Sequence, residues 1–98
     1  MIRHITLMKL KDFAEGHDAQ YNFQQIKTGM EALVGQIDGL TASTAQLGFS
    51  VKFDVCVTTD FVDEAAQQRY SAHPAHQAMR EYIHKVVEDN RPAFDCVL

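Results

Sequence analysis

The residues from Tyr70 to His76 bring together side chains that could do acid–base chemistry. The phenol of Tyr70 and the imidazole of His76 flank a helix junction, and a further imidazole, that of His73, lies between them. A neutral imidazole beside a tyrosine hydroxyl can serve as a general base or acid. Tyr70 and His76 are therefore the candidate catalytic pair. The alternative is structural, because a histidine on an apolar helix face is more often a satisfied core residue, and Tyr70 can be a core aromatic.

Pro74 predicts how the chain brings this pair together. Proline has a fixed φ and no N–H, which suits the first turn of a helix, and it disfavours helical conformation at the preceding residue, His73. Two apolar stripes meet at this junction, so Tyr70 and His76 should approach each other in the interior. The stripe before the junction is Val62, Ala66 and Tyr70; the stripe after it is His76, Met79, Ile83, Val86 and Val87.

The hydrophobic pattern along the chain predicts the element order β-α-β-β-α-β. This is the order of the ferredoxin-like α+β fold, with an antiparallel sheet in the order 4-1-3-2 and the helices on one face. The length suits one domain, residues 1–98. Strands are predicted at 2–10, 41–48, 53–61 and 93–98; the first helix at 17 or 18 to 36; and the second, interrupted before Pro74, from 63 to 89 or 90.

Apolar residues occupy both faces of the first predicted strand. His4 shares one face with Met8, whereas Ile5 and Leu7 lie on the other. His4 is therefore a second candidate for the pocket, or else a structural histidine bonded across the sheet. Because helices cover only one face of such a sheet, the other face predicts a second subunit. A two-fold homodimer would close two sheets into a barrel.

The composition of the chain argues against several classes of binding partner. The chain carries a net charge of −4 and no cluster of Lys and Arg, which argues against nucleic acid and anionic membranes. No apolar run approaches the roughly 18 residues of a membrane span, and the strand pattern that starts at Ile2 predicts no signal peptide.

Cys56 and Cys96 should lie about 10 Å apart in this sheet, too far for a disulfide. We therefore expect reduced thiols and a cytoplasmic protein.

With these elements in place, the whole chain resembles the stress-responsive A/B barrel domain (Dabb) family. The most specific part of the resemblance is Tyr70-x-x-His73-Pro74-x-His76. The supporting segments are the opening Met1-Ile2-Arg3-His4-Ile5, the turn Ile37-Asp38-Gly39-Leu40, the strand start Phe53-Asp54-Val55, and Val86-Val87-Glu88-Asp89.

The resemblance implies a homodimeric α/β barrel with a pocket between the helices and the sheet of each subunit. Most members have no assigned reaction, but an olivetolic acid cyclase type uses a tyrosine and a histidine that correspond to Tyr70 and His76. His4 and His73 also match family positions and are the candidate substrate-binding residues. A further strand histidine of the cyclase falls at about Val55, so the resemblance transfers the pocket and not the cyclase reaction.

Some relatives hold a divalent ion through main-chain carbonyls near the end of the first helix. The corresponding positions are Val34, Ile37 and Leu40. Carbonyls left unpaired at a helix end can bind a hard cation. In the adjoining turn, Asp38 stands where the family usually has a proline, which bears on the shape of the pocket mouth.

Three functional hypotheses remain open from the sequence. The first is a cofactor-free enzyme of cyclase or lyase type that acts on an enolisable carbonyl compound, with His76 as base, Tyr70 as donor to the oxyanion and His4 orienting the substrate. The second is a non-enzymatic stress or binding protein whose pocket holds a small apolar ligand. The third is a monooxygenase-like member of the wider dimeric barrel group. The sequence contains no haem or flavin motif, so we expect no cofactor.

Overall fold

The structure, a computed structural model, describes residues 1–98 and contains one main sheet and three helices. The strands are β1 (Ile2–Met8), β2 (Phe13–Ala14), β3 (His17–Asp18), β4 (Leu40–Leu47), β5 (Val55–Phe61) and β6 (Ala93–Val97). The helices are α1 (Ala19–Glu31), α2 (Glu64–Ala72) and α3 (Pro74–Val86).

The main sheet is antiparallel and has the strand order β4-β5-β1-β6. This confirms the predicted ferredoxin-like topology, since β1, β4, β5 and β6 are its first to fourth strands. β1 lies between β5 and β6, and in this register His4 is opposite Thr59 on one side and Asp95 on the other. The small hairpin formed by β2 and β3 is an addition to the prediction, which had only a connection ahead of the first helix.

Aspartate side chains fix the start of α1 and α2. Asp18 accepts a hydrogen bond from the backbone N–H of Tyr21 at 2.9 Å, and Asp63 accepts one from Ala66 at 2.9 Å. Such caps satisfy N–H groups that have no partner within the helix.

The first helix is shorter than the predicted helix. It ends at Glu31 and not at Gln36, and turns follow, with Gly35 at φ +91°. Leu33 and Ile37 are nevertheless buried at 2% and 3% exposure. The prediction was wrong at this end because the helical spacing of apolar residues continues through a segment whose backbone has already left the helix.

The last helix also ends earlier than predicted. It stops at Val86, and Val87 adopts an extended conformation with ψ 160° and forms a β-bridge with Leu10. Both Leu10 and Val87 are buried, so the predicted apolar pattern was right about their burial and wrong about the helical backbone. The bridge ties the end of α3 to the residues that follow β1.

The hydrophobic core lies between the sheet and the helices. It is continuous from the helix-facing side of β1 and β5 to the buried face of α1 and the inner faces of α2 and α3. Its members are Met8, Leu10, Phe23, Ile26, Met30, Leu33, Ile37, Leu40, Ala45, Val55, Val57, Phe61, Ala66, Tyr70, Ile83, Val86 and Val87.

The opposite face of the sheet has no helix over it. Ile5 lies beside Phe94 there, and Phe94 is 63% exposed. The guanidinium of Arg3 donates two hydrogen bonds to the carboxylate of Asp60, at 2.7 and 2.9 Å. These bonds lower the pKa of Asp60, against the effect of its burial. This outer face therefore combines apolar side chains with one internally satisfied ion pair.

Both cysteines are free, as expected. Cys56 is opposite Leu7 and Cys96 is opposite Arg3, so they lie on the two neighbours of β1 and at different heights along it. None of the three helices has the length and apolar character needed to cross a bilayer.

Gly39 links the turn after α1 to the packing of α2, and this generates a stability prediction. Its φ is +85°, and a Cβ there would lie 2.5 Å from the Cβ of the buried Ala66. Gly39→Ala should therefore cost about 1–2 kcal/mol for the left-handed backbone and roughly 1–3 kcal/mol for overpacking.

Gly35→Ala is the matched control in urea unfolding. It has a φ of +91° but no atom within 4 Å of the added Cβ, so it should show only the backbone cost. Equal losses in the two variants would contradict the packing role of Gly39.

Candidate functional site

A cavity of about 480 Å³ lies between the sheet and the helices, where the family resemblance implied a pocket. Its walls come from β1, β5, all three helices and the chain after α3. The residues that line it are His4, Thr6, Met8, Met30, Val57, Thr59, Gln67, Tyr70, Ser71, His76, Arg80, Ile83, His84, Arg91 and Ala93.

Tyr70 and His76 meet in this cavity, as predicted from the two apolar stripes. Their ring centroids are 3.9 Å apart, with 31° between the ring planes. Tyr70 also packs edge-on against Phe61 at 5.0 Å and is 6% exposed. The packing on two sides holds the phenol in one orientation at the cavity wall.

The junction between α2 and α3 produces this contact. His73 has φ −73° and ψ 132°, outside the helical region, and Pro74 opens α3. The imidazole Nδ1 of His73 accepts a hydrogen bond from the backbone N–H of Ala75 at 3.1 Å, so the side chain caps α3. His73 does not line the cavity. Its observed contact is structural, in contrast to the substrate-binding position that the family resemblance implied.

Burial sets the protonation of the pair. The pKa of His76 is lowered, first by burial and further by the charges of Arg80 and His4, against the effect of the carbonyls of Ser71 and Tyr70. Burial raises the pKa of Tyr70. The imidazole is thus neutral and the phenol protonated near neutral pH, and the buried Nδ1 of His76 has no hydrogen-bond partner.

His4 lines the cavity, as predicted, and it is also bonded across the sheet, as the structural alternative predicted. Its Nδ1 lies 2.7 Å from a carboxylate oxygen of Asp95, and its Nε2 lies 3.1 Å from the hydroxyl of Thr6. Gln67 donates to the same Asp95 oxygen at 2.8 Å, and these two hydrogen bonds lower the pKa of Asp95. The carboxylate accepts from Nδ1–H, which leaves Nε2 to accept from Thr6 in the neutral tautomer.

Sequence reasoning missed three basic residues of the cavity wall: Arg80, His84 and Arg91. His76, Arg80 and His84 recur every four residues on α3, a spacing that puts them on one side of the helix. That four-residue spacing could have identified Arg80 and His84, but the prediction followed the apolar residues of α3 instead. The pKa of His84 is lowered by burial and by the charges of Arg91 and Arg80.

The main-chain cation site predicted at Val34, Ile37 and Leu40 lies in the turns after α1 and at the first residue of β4. The carbonyl of Ile37 already accepts the N–H of Leu40 at 3.2 Å. No group of three or more His, Cys, Asp or Glu side chains is arranged to hold a metal ion. A hard cation here would have only carbonyl and water oxygens as ligands. The cation site stays a prediction, and nothing in the cavity depends on it.

The sequence matches the model of the stress-responsive A/B barrel domain over residues 2–98. The chain belongs to this family. An uncharacterized protein of Streptomyces coelicolor, SCO4036, is 34% identical over 99 aligned residues, which cover 91% of this chain and 97% of that protein.

Solved structures share the fold at lower identity. A dimeric protein of unknown function and ferredoxin-like fold from Bacteroides fragilis superposes with a TM-score of 0.84 at 21% identity, covering 99% of this chain and 95% of that one. SnoaB from Streptomyces nogalater, a cofactor-independent oxygenase, superposes with a TM-score of 0.76 at 11% identity, covering 99% and 91% of the two chains. At these identities the similarity establishes the fold alone.

The electrostatics of His76 give a testable pH dependence. Because its folded pKa lies below the ordinary value of 6.5, the unfolded chain takes up the proton first as the pH falls. The free energy of unfolding should therefore decrease from pH 6.5 down to the folded pKa, and His76→Gln should flatten this decrease. The measurement is urea unfolding on either side of pH 6.5, with NMR titration of the His76 ring. A ring pKa at or above 6.5 would contradict the assignment of a neutral, desolvated imidazole.

Proposed function

We propose that this domain is a cofactor-free acid–base catalyst that moves a proton on the carbon next to the carbonyl of a small substrate. The observation that carries the proposal is the neutral, partly buried imidazole of His76, stacked on the protonated phenol of Tyr70 in a cavity of about 480 Å³. A cavity of this volume accepts a small organic molecule.

In this mechanism His76 takes a proton from the carbon next to the carbonyl. The electron pair of the C–H bond moves into the carbonyl, and the hydroxyl of Tyr70 donates a hydrogen bond to the developing enolate oxygen. The neutral form of His76 is the form that can accept a proton, and the raised pKa of Tyr70 keeps its hydroxyl a donor. Return of a proton from His76 to the carbon gives exchange or isomerisation. Collapse of the enolate with loss of a leaving group, and its electron pair, from the next carbon gives a lyase-type outcome, and attack of the enolate carbon on a second carbonyl of the same molecule gives a cyclase-type outcome.

His4 has a positioning role in this proposal. Its contacts with Asp95 and Thr6 fix the ring against the cavity, so it presents one orientation to a bound molecule. The capping contact of His73 supports a different role, in which it acts on the site only by shaping the start of α3 and so placing His76.

An oxygenase reaction is the second candidate, because SnoaB, which has this fold, is described as a cofactor-independent oxygenase. An enolate is also the electron-rich species that an oxygenase without a cofactor would present to O₂. Proton exchange without consumption of O₂ would favour the first candidate, and consumption of O₂ on substrate addition would favour the second. Simple ligand storage would produce neither signal.

We also propose a homodimer that closes through the outer face of the sheet. Ile5 and Phe94 form an apolar area there, and the structural relative from Bacteroides fragilis is described as dimeric. A stable interface needs about 800 Å² from each partner. The free thiols of Cys56 and Cys96 suit the cytoplasm, which we propose as the location.

The catalytic proposal predicts proton–deuterium exchange in D₂O at the carbon next to the carbonyl of small ketones. We expect the wild-type protein to accelerate this exchange, and Tyr70→Phe and His76→Gln each to reduce the acceleration by about 10²-fold or more. NMR follows the loss of the proton signal.

Tyr82→Phe is the matched control, because the Tyr82 hydroxyl donates to Asn22 at 2.8 Å and does not line the cavity. It should keep wild-type exchange, and thermal melts check that all variants fold. A fully active Tyr70→Phe, or a purely thermal defect in His76→Gln, would assign the pair a structural role.

The dimer proposal predicts that Phe94→Asp yields a folded monomer. A charge placed in the centre of an apolar interface would be desolvated without a partner. Phe13→Asp is the matched control, because Phe13 is similarly exposed, at 68%, but lies on the separate hairpin. Light scattering after size exclusion should give a dimer for the wild type and the Phe13 variant. A wild-type monomer would refute the dimer.

A further inference from the structure

The charged side chains that line the cavity are all basic. Arg80 and Arg91 line its wall together with three histidines, and no Asp or Glu is among the lining residues. The carboxylate closest to these basic side chains is that of Asp95, which already accepts hydrogen bonds from His4 and Gln67. A chain with a net charge of −4 has therefore concentrated positive charge in this cavity.

Arg80 has no carboxylate partner. It makes none of the ion pairs in the structure and lies on α3 between His76 and His84, one turn from each. Its charge is felt by both rings, since it disfavours protonation of each. Arg80 is exposed to solvent at the cavity wall, and its charge acts on the candidate base.

The side chain of Arg91 is held in place by a hydrogen bond, but its positive charge is only weakly neutralised. Its Nη1 donates to the carbonyl of Glu88 at 3.2 Å, and the nearest Asp89 oxygen lies at 3.8 Å on a fully exposed side chain. Its charge also acts on His84. Both guanidinium groups line the cavity and act on His84, and the exposed carboxylate of Asp89 offsets their effect only in part. An anion between the two arginines would relieve their repulsion.

We infer that the ligand of this cavity is an oxo acid, whose carboxylate binds Arg80 and Arg91 while its carbonyl lies against Tyr70 and His76. Guanidinium groups bind carboxylates through paired, charge-assisted hydrogen bonds. One helical turn, about 6 Å of rise for four residues, separates Arg80 from His76, so only a few bonds separate the carboxylate from the carbonyl. This inference rests on the proposed function for the position of the carbonyl, and on the arginines alone for the anion.

The test compares 4-oxopentanoate and 3-benzoylpropionate with their neutral amides, which have nearly the same shape. Binding is measured by NMR titration of the wild-type protein at low salt. We expect each acid to bind at least about tenfold more tightly than its amide. Arg80→Gln and Arg91→Gln should each reduce the ratio of acid to amide affinity by about tenfold, which brings it close to unity. Added salt should weaken binding of the acids but not of the amides.

Arg69→Gln is the matched control, since it removes one positive charge from an exposed position of α2 outside the cavity. It should leave the ratio of acid to amide affinity unchanged. Equal affinity of acid and amide, a ratio that survives both cavity substitutions, or no binding of either acid at millimolar concentration would each overturn the inference.

The same compounds separate this inference from the catalytic proposal. Tighter binding of the acids without proton exchange would leave the anion site intact and refute catalysis by Tyr70 and His76. Equal exchange of acids and amides would keep the catalysis and refute the anion site.

Discussion

The break in helical conformation at His73 and Pro74 is the constraint on which the candidate site depends. Residues six apart on an unbroken helix point to different sides, because each residue advances by about 100°, so Tyr70 and His76 could not touch. The extended backbone of His73 redirects α3, and the two rings then stack at 3.9 Å. The proline without an N–H and the histidine that caps the next helix therefore act together to build the contact.

Desolvation shifts the pKa values of the two rings in opposite directions, and both shifts favour the neutral form. It lowers the pKa of His76 and raises the pKa of Tyr70, so both are neutral in the fold. A neutral pair can be buried without a counterion, whereas a buried charge needs one. The cavity therefore has no need of an acid beside this pair, and no Asp or Glu lines it.

The fold and the central pair were accessible from sequence because both depend on apolar periodicity and on one proline. Apolar periodicity predicted helices that are too long where buried residues continue beyond a helix end, as at Leu33 and Val87. Burial and a helical backbone are separate properties. Apolar periodicity alone could not identify Arg80, for which the four-residue spacing from His76 and His84 was the available signal. It also could not identify Arg91, which reaches the cavity from an irregular segment. The placement of Arg91 depends on tertiary structure that no local pattern encodes.

β1 connects the cavity to the outer face of the sheet, because successive residues of a strand point to opposite sides. His4 and Thr6 face the cavity, while Arg3 and Ile5 face outward. A partner subunit over the outer face would exclude water from the Arg3–Asp60 pair and so strengthen its attraction, at the cost of desolvating both groups. Since that pair joins β1 to β5, closing the dimer would also stiffen the two strands that carry His4 and Thr59. In the proposed dimer, assembly and site geometry would therefore be coupled through one strand.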